Sequence, residues 1–591
     1  MKHKTKQVAL RVGYVAVTVL LVLTVLSLVY RVETNYALRW NPIATVVLAG
    51  FLAVLLFCEK RFGYFAWLKR AVKGRIDLFK ELLAQGKKGK FYLHLFTVLV
   101  TAATVLLLGG LMMLGYYSNA SLILAFFATV LAVLLQLTDR IVLGKGLAPA
   151  SLFLMVALLV GTMMCYVMPP AIFVTWDDET HFRRAYDLVF ILNDERSEAV
   201  ADFFTYKGFP KDSFINDPAS FVEDTLQGSE TAVRVQPQMS NPYSAFGYTP
   251  LMATLALLTL LGADLVKIAV LCRLANLFAF AFIVYAGIRK LKRGATIFSA
   301  VCLLPCVLFL ASTHNYDFWL TAWFAYAFAT LFAALQRTDR KLTPSDLWRV
   351  LLAFFLGCGP KAIYCAMLLP LLFIGKDRFE NPAHAKKFRI WTVALIGFIT
   401  ATLVVPGLVA PDLYTDTRGG EDVSVGGQIS FILSNPLRYA DILFKFLSEY
   451  CSFYQMNTYT AWYGYLGNAH VAFGSFSAFM LLFCAFTDRK PDDGYEKMQT
   501  IRWITIFAFF AQLILIATSL YTGFTPVGLG TVNGCQYRYI FPLLIPFCFF
   551  LSPKKLSCEI QPRFVAAFVY GGLALNLFAS FYNVYLTRFI G

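Results

Sequence analysis

The densest run of ionisable side chains in the sequence is Thr175-Trp176-Asp177-Asp178-Glu179-Thr180-His181-Phe182-Arg183-Arg184. Three consecutive carboxylates repel one another, so one of them is expected to hold its proton more tightly than usual. A carboxylate tuned in this way suits general-base work on a hydroxyl, or it can orient a cation. The bland reading of the same residues is a solvated loop start. His181 follows Asp178 by three positions, which places both on one face if the segment from 178 to 190 is helical. His181 could then join Asp178 and Glu179 around a metal ion. A lone histidine beside carboxylates favours a hydrogen-bonding role over ligation.

Three further polar groups interrupt apolar stretches. Ser312-Thr313-His314-Asn315-Tyr316-Asp317 lies between two apolar runs and reads either as a second acidic cluster or as a polar turn cap. Lys361 follows the break Gly357-Cys358-Gly359-Pro360 inside an otherwise apolar segment. An ionisable residue at membrane depth is costly and is a functional candidate by default, although a lysine can also snorkel to an interface. A half-helix start beside a lysine would hold a phosphate well. Asn533-Gly534-Cys535-Gln536-Tyr537-Arg538-Tyr539 opens another short apolar run, where Arg538 suits a lipid phosphate or pyrophosphate, or anchors an aromatic belt.

The elements that must position these residues are membrane helices. Of 591 residues, 58% are hydrophobic and 15% charged, with a mean hydropathy of +0.63. Soluble domains carry roughly 45–50% apolar and about 25% charged residues. The excess excludes a cytosolic enzyme, a secreted disulfide scaffold and a disordered chain. The twelve cysteines show no metal-site spacing. A spanning helix needs about 20 apolar residues, and thirteen runs approach this: 9–30, 42–58, 92–115, 121–138, 151–170, 265–288, 296–312, 318–335, 390–410, 468–486, 503–522, 537–551 and 564–585. The run from Ala9 to Tyr30 is too long for a signal h-region and reads as the first membrane helix.

Charge then sets the orientation. Lys2, Lys4 and Lys6 place the N-terminus inside, and 59–91 carries ten Lys/Arg against three acids. Segments 171–245 (thirteen acids, six bases) and 411–467 (six acids, three bases) become two large acidic outer loops. The net charge of +17 is mainly an orientation signal and does not call for nucleic acid. A full crossing at 246–262 would put Arg289 to Arg293 outside, so that stretch should lie along or dip into the outer face. The stretch 350–375, basic on both flanks, reads as a re-entrant pair of half-helices broken at Gly359-Pro360. No Walker A or dinucleotide fingerprint is present, which argues against an ATP-driven pump.

In this order the clusters resemble the predicted membrane proteins of domain-of-unknown-function family 2142, which look like part of the GT-C superfamily of membrane glycosyltransferases. The matching stretches are Asp178-Glu179-x-His181-x-x-Arg184-Ala185, Tyr316-Asp317, Pro360-Lys361-x-x-Tyr364, Trp462-Tyr463-Gly464-Tyr465-Leu466-Gly467 and Gly534-x-Gln536-x-Arg538-Tyr539. Tyr537 stands where the pattern has a small residue. The resemblance covers roughly 150–585. It implies an all-α polytopic membrane protein with a GT-C-like helical bundle, about thirteen crossings and a re-entrant pair. Residues 1–150 would form an N-terminal four-helix membrane region, and 151–591 the catalytic region with both outer loops.

The implied reaction moves a sugar from a polyprenyl-phosphate carrier to a cell-envelope glycan or lipid acceptor on the outer face of the cell membrane. The alternatives are a polysaccharide polymerase or ligase, or a lipid-linked glycan transporter, the last disfavoured because the charges lie at one face. Asp178 would be the base, with Asp177 or Glu179 as substitute. His181, Asn315 and Asp317 would bind acceptor or metal, and Lys361, Arg538 and Gln536 the lipid phosphate. The resemblance requires no cofactor, though a divalent metal such as Mg or Mn could serve. Asp178, Asp317, Lys361 and Arg538 should converge on one cavity at the outer face.

Overall fold

The computed structural model describes residues 64–190, 195–205, 210–226, 232–234, 243–409, 422–488, 490, 494–553 and 557–590. The apolar runs 9–30 and 42–58 lie outside the described residues. The chain then forms α1 (Tyr64–Ala84), α2 (Lys88–Leu114), α3 (Asn119–Leu143) and α4 (Pro149–Val167). Each end has a local cause. Gly115 and Gly144 close α2 and α3 in the left-handed conformation that glycine adopts without strain, and Ser118 and Ser121 form a capping box at the start of α3. His94 and Asp139, both buried, tie α2 to α3 at 2.7 Å.

The first long acidic segment contains α5 (Asp178–Val189), short helices between residues 198 and 226, and the three-residue strands β1 (Glu195–Ser197) and β2 (Ala232–Arg234), paired antiparallel. Then follow α6 (Thr249–Leu260), α7 (Leu265–Ile288), α8 (Ala295–Cys302), α9 (Pro305–Ala311) and α10 (Asp317–Gln336). Next come α11 (Pro344–Cys358), α12 (Ala362–Leu372) and α13 (Pro382–Val405). The described part of the second acidic segment is helical, with α14 (Val425–Ser434), α15 (Pro436–Tyr450) and α16 (Phe453–Thr460). The chain ends with α17 (Val471–Thr487), α18 (Tyr495–Gly523), α19 (Tyr537–Leu551) and α20 (Pro562–Val584).

Eight of these helices are long and apolar enough to cross a membrane by length and composition: α2, α3, α4, α7, α10, α13, α18 and α20. They coincide with eight of the thirteen expected runs. The run 296–312 is divided between α8 and α9 by Pro305, which has no N–H to continue a helix. The runs 468–486 and 537–551 form shorter apolar helices. At the centre stands α10, whose most apolar stretch is 89% buried, against 22% for α2 and 17% for α13 at the periphery. Close helix approach rests on small residues. At Gly287, for example, an added Cβ would stand 3.0 Å from the Tyr326 Cα of α10.

Two segments take a more definite form than their hydropathy specified. Residues 249–260 are helical. They form α6, which pairs with the first half of α7, and the Cys272 thiol of α7 reaches the Leu251 carbonyl. Residues 344–372 form a helical hairpin beside α10, with Gly359-Pro360-Lys361 at its tip. Near the tip, the Trp319 indole of α10 donates to the Leu356 carbonyl at 2.9 Å. At the root, Leu342 N donates to the Arg378 carbonyl at 2.8 Å, so both arms return to the same end. The other basic connections meet there. Gln336 Oε1 accepts from the backbone N–H groups of Lys292 and Arg293, and Asp488 accepts from Thr296 and Ile297.

Candidate functional site

The end of the bundle opposite that basic root carries the site. Pro169 and Pro170 end α4, and the chain runs to Asp177, the one non-glycine residue at positive φ (58°) among the described residues. A left-handed aspartate stores backbone strain, a state that persists only where surrounding contacts impose it. Here the contact is ionic. Asp177 does not cap α5; its Oδ2 meets Arg538 Nη2 at 2.6 Å.

Arg538 sits in the first turn of α19 and is almost wholly buried. Its Nη1 donates to the Trp176 carbonyl at 2.9 Å, and its Nε lies 3.2 Å from Asp317 Oδ2. The other Asp317 oxygen accepts from Lys361 Nζ at 2.6 Å, at the tip of the α11–α12 hairpin. Lys361 Nζ also stands 4.0 Å from the centre of the Tyr539 ring. Four segments therefore meet through charge: the loop before α5, the start of α10, the hairpin tip and the start of α19. Two carboxylates balance two cations. Pairing of this kind is what lets charges persist out of water.

Asp178, the expected base, has a different environment. It is fully buried, and its Oδ1 accepts from the His314 backbone N–H at 2.9 Å. The His314 ring donates Nε2–H to the Ala269 carbonyl at 2.8 Å, because a carbonyl can only accept. Its Nδ1 lies 3.4 Å from Asp178 Oδ2. Asn315 donates to the Trp176 carbonyl at 3.1 Å, and its own Oδ1 accepts from Asp317 N. Asp178 thus holds the 312–317 loop in register, and that loop aims Asp317 at the two cations.

The helix expected over 178–190 forms, and Asp178 and His181 are both buried on it. The weak metal reading of Asp178, Glu179 and His181 is corrected by their tertiary neighbours. His181 Nδ1 pairs with the Tyr248 hydroxyl at 2.9 Å while Asp178 turns to His314. Among the described residues no three His, Cys, Asp or Glu side chains are grouped to hold a metal ion. Glu179 is half-buried. Burial, with Asp178 and Asp177 beside it, pushes its carboxyl up to about 7.

Asp317, Lys361 and Arg538 converge as expected, with Asp178 linked to them through the 312–317 loop. They do so by closing on one another rather than by lining an open cavity: the side-chain exposures are 5%, 12% and 2%. Gln536 is not drawn in. Its backbone carbonyl accepts from the Tyr450 hydroxyl, and its buried side-chain oxygen has no hydrogen-bond partner among the described residues.

The Trp462–Gly467 segment backs the site through its main chain. Tyr465 N donates to the Val174 carbonyl at 3.1 Å. Gly464 has φ 56°, and a Cβ there would stand 2.9 Å from Thr175 Cα. Only glycine fits that approach. Sequence reasoning passed over one buried cation, Arg273 of α7. It is fully buried, donates to the Ala171 carbonyl and feels the charge of Asp178. Its signal was available as an arginine inside an apolar run.

No curated protein and no solved structure matches the chain. The sequence profile of the predicted membrane protein family DUF2142 matches residues 158–546. That span begins within α4 and ends within α19, so it contains every member of the charged cluster and leaves α1 to α3 outside. The chain belongs to the DUF2142 family of membrane proteins.

Proposed function

We propose that this protein is an integral-membrane glycosyltransferase of GT-C type. It would move a sugar from a polyprenyl-phosphate carrier to a glycan or lipid acceptor at the outer face of the cell membrane. The observation that carries the reading is the Asp177–Arg538–Asp317–Lys361 chain of ion pairs. In it two carboxylates meet two cations that share Asp317. A phosphate offers the same oxygens in the same geometry, and charge-assisted contacts from Arg and Lys to phosphate are strong. Donor binding would exchange a carboxylate for the carrier phosphate.

The displaced carboxylate becomes a base at the place where it is needed. The acceptor hydroxyl oxygen bonds to the anomeric carbon as the bond from that carbon to the phosphate oxygen breaks. The hydroxyl proton passes to the carboxylate, and the electron pair leaves with the polyprenyl phosphate. Lys361 and Arg538 stabilise the charge developing on that leaving group. Asp177 suits the base role better than Asp178, since its side chain is 24% exposed and Asp178 is buried against His314. Glu179, half-buried with its carboxyl near 7, is the second base. Asp178, His181 and Asn315 position the loops.

The test uses purified full-length protein in liposomes, given a panel of radiolabelled polyprenyl-phosphate sugars and envelope glycan acceptors. The expected result is sugar transfer with release of polyprenyl phosphate, falling at least about 100-fold in Asp177→Asn and in Arg538→Gln. Carrier movement across the bilayer without cleavage would favour transport instead.

A further inference from the structure

The opposite end of the bundle holds a second place where cations gather, and it is built differently. A cavity of about 420 Å³ lies between the root of the α11–α12 hairpin and the start of α18. Arg340, Lys341, Arg378 and Lys497 line it, with Asp339 and Asp377. The carboxylates are not matched to these cations. Arg340 is held from outside by Asp346 at 2.9 Å, and Lys341 Nζ takes the Asp377 carbonyl rather than its carboxylate. Arg378 Nη2 closes the end of α10 by donating to the carbonyls of Leu335 and Arg337, which leaves its buried Nε without a partner among the described residues. Lys497 is exposed and has no side-chain partner among the described residues.

Apolar groups share the cavity wall. Phe373 is 48% exposed there, beside Ile501. Trp348 on α11 and Trp391 on α13 meet near the hairpin root with ring centres 5.4 Å apart and planes tilted by 57°, and Trp503 on α18 lies two residues beyond Ile501. All three tryptophans are more than half exposed. Exposed tryptophans at helix ends mark the level of lipid headgroups. The cavity wall therefore joins an exposed aromatic ring to cations that no cavity carboxylate pairs, a composition suited to headgroup level. Basic pockets between membrane helices on the side with excess Lys and Arg bind anionic lipid headgroups.

We propose that this cavity binds the phosphodiester headgroup of an anionic glycerophospholipid. Lys341, Arg378 Nε and Lys497 would surround the phosphate, and one acyl chain would pass Phe373. The site is separate from the charged cluster: α10, which spans the interval between them, has 20 residues, about 30 Å at the helical rise. It does not depend on the glycosyltransferase reading.

Native mass spectrometry of the full-length protein tests it, with titration of phosphatidylglycerol, phosphatidylcholine or inorganic pyrophosphate. The expected result is one phosphatidylglycerol retained in preference to phosphatidylcholine, with affinity roughly tenfold or more weaker in Lys341→Gln/Lys497→Gln. Lys445→Gln on α15, which removes an exposed charge far from the cavity, should leave that affinity unchanged. If the double variant does not fold, Lys497→Gln alone carries the test, because that side chain is exposed and has no hydrogen-bond or ion-pair partner among the described residues. Equal retention of phosphatidylcholine, an unchanged affinity in the lysine variants, or displacement of the lipid by pyrophosphate would each overturn the proposal.

Discussion

The two ends of the bundle use the same residue types to opposite effect. At the acidic end, Arg538 is buried and Lys361 largely so, and each is matched by a carboxylate within 2.6 Å. At the basic end, Lys341 and Lys497 are exposed and no carboxylate meets either ammonium among the described residues. Charges that remain in water need no partner and mostly report orientation. Charges removed from water must be paired, so their partners are specified, and that specification brings distant segments together. Asp177 and Arg538 lie 361 positions apart in sequence.

The largest way to break this contrast is to remove a shared partner. Asp317→Ala leaves Lys361 and Arg538 facing each other in a buried site, and should cost about 3–5 kcal/mol of stability, read as loss of the folded fraction on thermal unfolding in detergent. Arg538→Lys keeps the charge but removes the fork that reaches Asp177, Asp317 and the Trp176 carbonyl together. It should fold, and sugar transfer should drop roughly 100-fold.

Gly464→Ala tests the support rather than the charge. It forces a side chain onto Thr175 Cα at a left-handed position, and should destabilise by about 1–3 kcal/mol, seen as a lower melting temperature with the ion-pair residues intact.

Glu179 gives a pH signature with a defined sign. Its folded-state carboxyl is raised from 4.5 to about 7. Between those values the folded protein binds more protons than the unfolded chain, so stability falls as pH rises from about 5 to 8. Glu179→Gln should flatten that decline in a melting-temperature profile and raise the value at pH 8.

The smallest effect is expected at the exposed pair Asp441–Lys445, 2.9 Å apart on α15. Asp441→Asn should change stability by less than about 1 kcal/mol, and less still in high salt. A large loss there would erase the distinction between the two kinds of charge.

Much of the architecture was legible because hydropathy is a local property. Eight apolar runs became long membrane helices, and the Gly359-Pro360 break became the hairpin tip. The break at Pro305 was visible in the letters as well, but 296–312 was read as one run because its hydropathy is continuous. The polar interruptions also identified Asp177, Asp317, Lys361 and Arg538, since an ionisable residue in an apolar context is rare enough to mark a site.

Composition and spacing by themselves determined that this is a multi-helix membrane protein with its acidic clusters at one end and its basic connections at the other. Only the tertiary structure decided which carboxylate meets which cation. Adjacent residues on a helix start point in different directions, so Asp177 reaches Arg538 while Asp178 is carried inward to His314. Packing also turned His181 away from the carboxylates and left Arg273 buried behind them. The physical reason is one of range: apolar periodicity acts within a helix, whereas a buried ion pair is fixed by the three-dimensional meeting of helices whose sequences carry no record of one another.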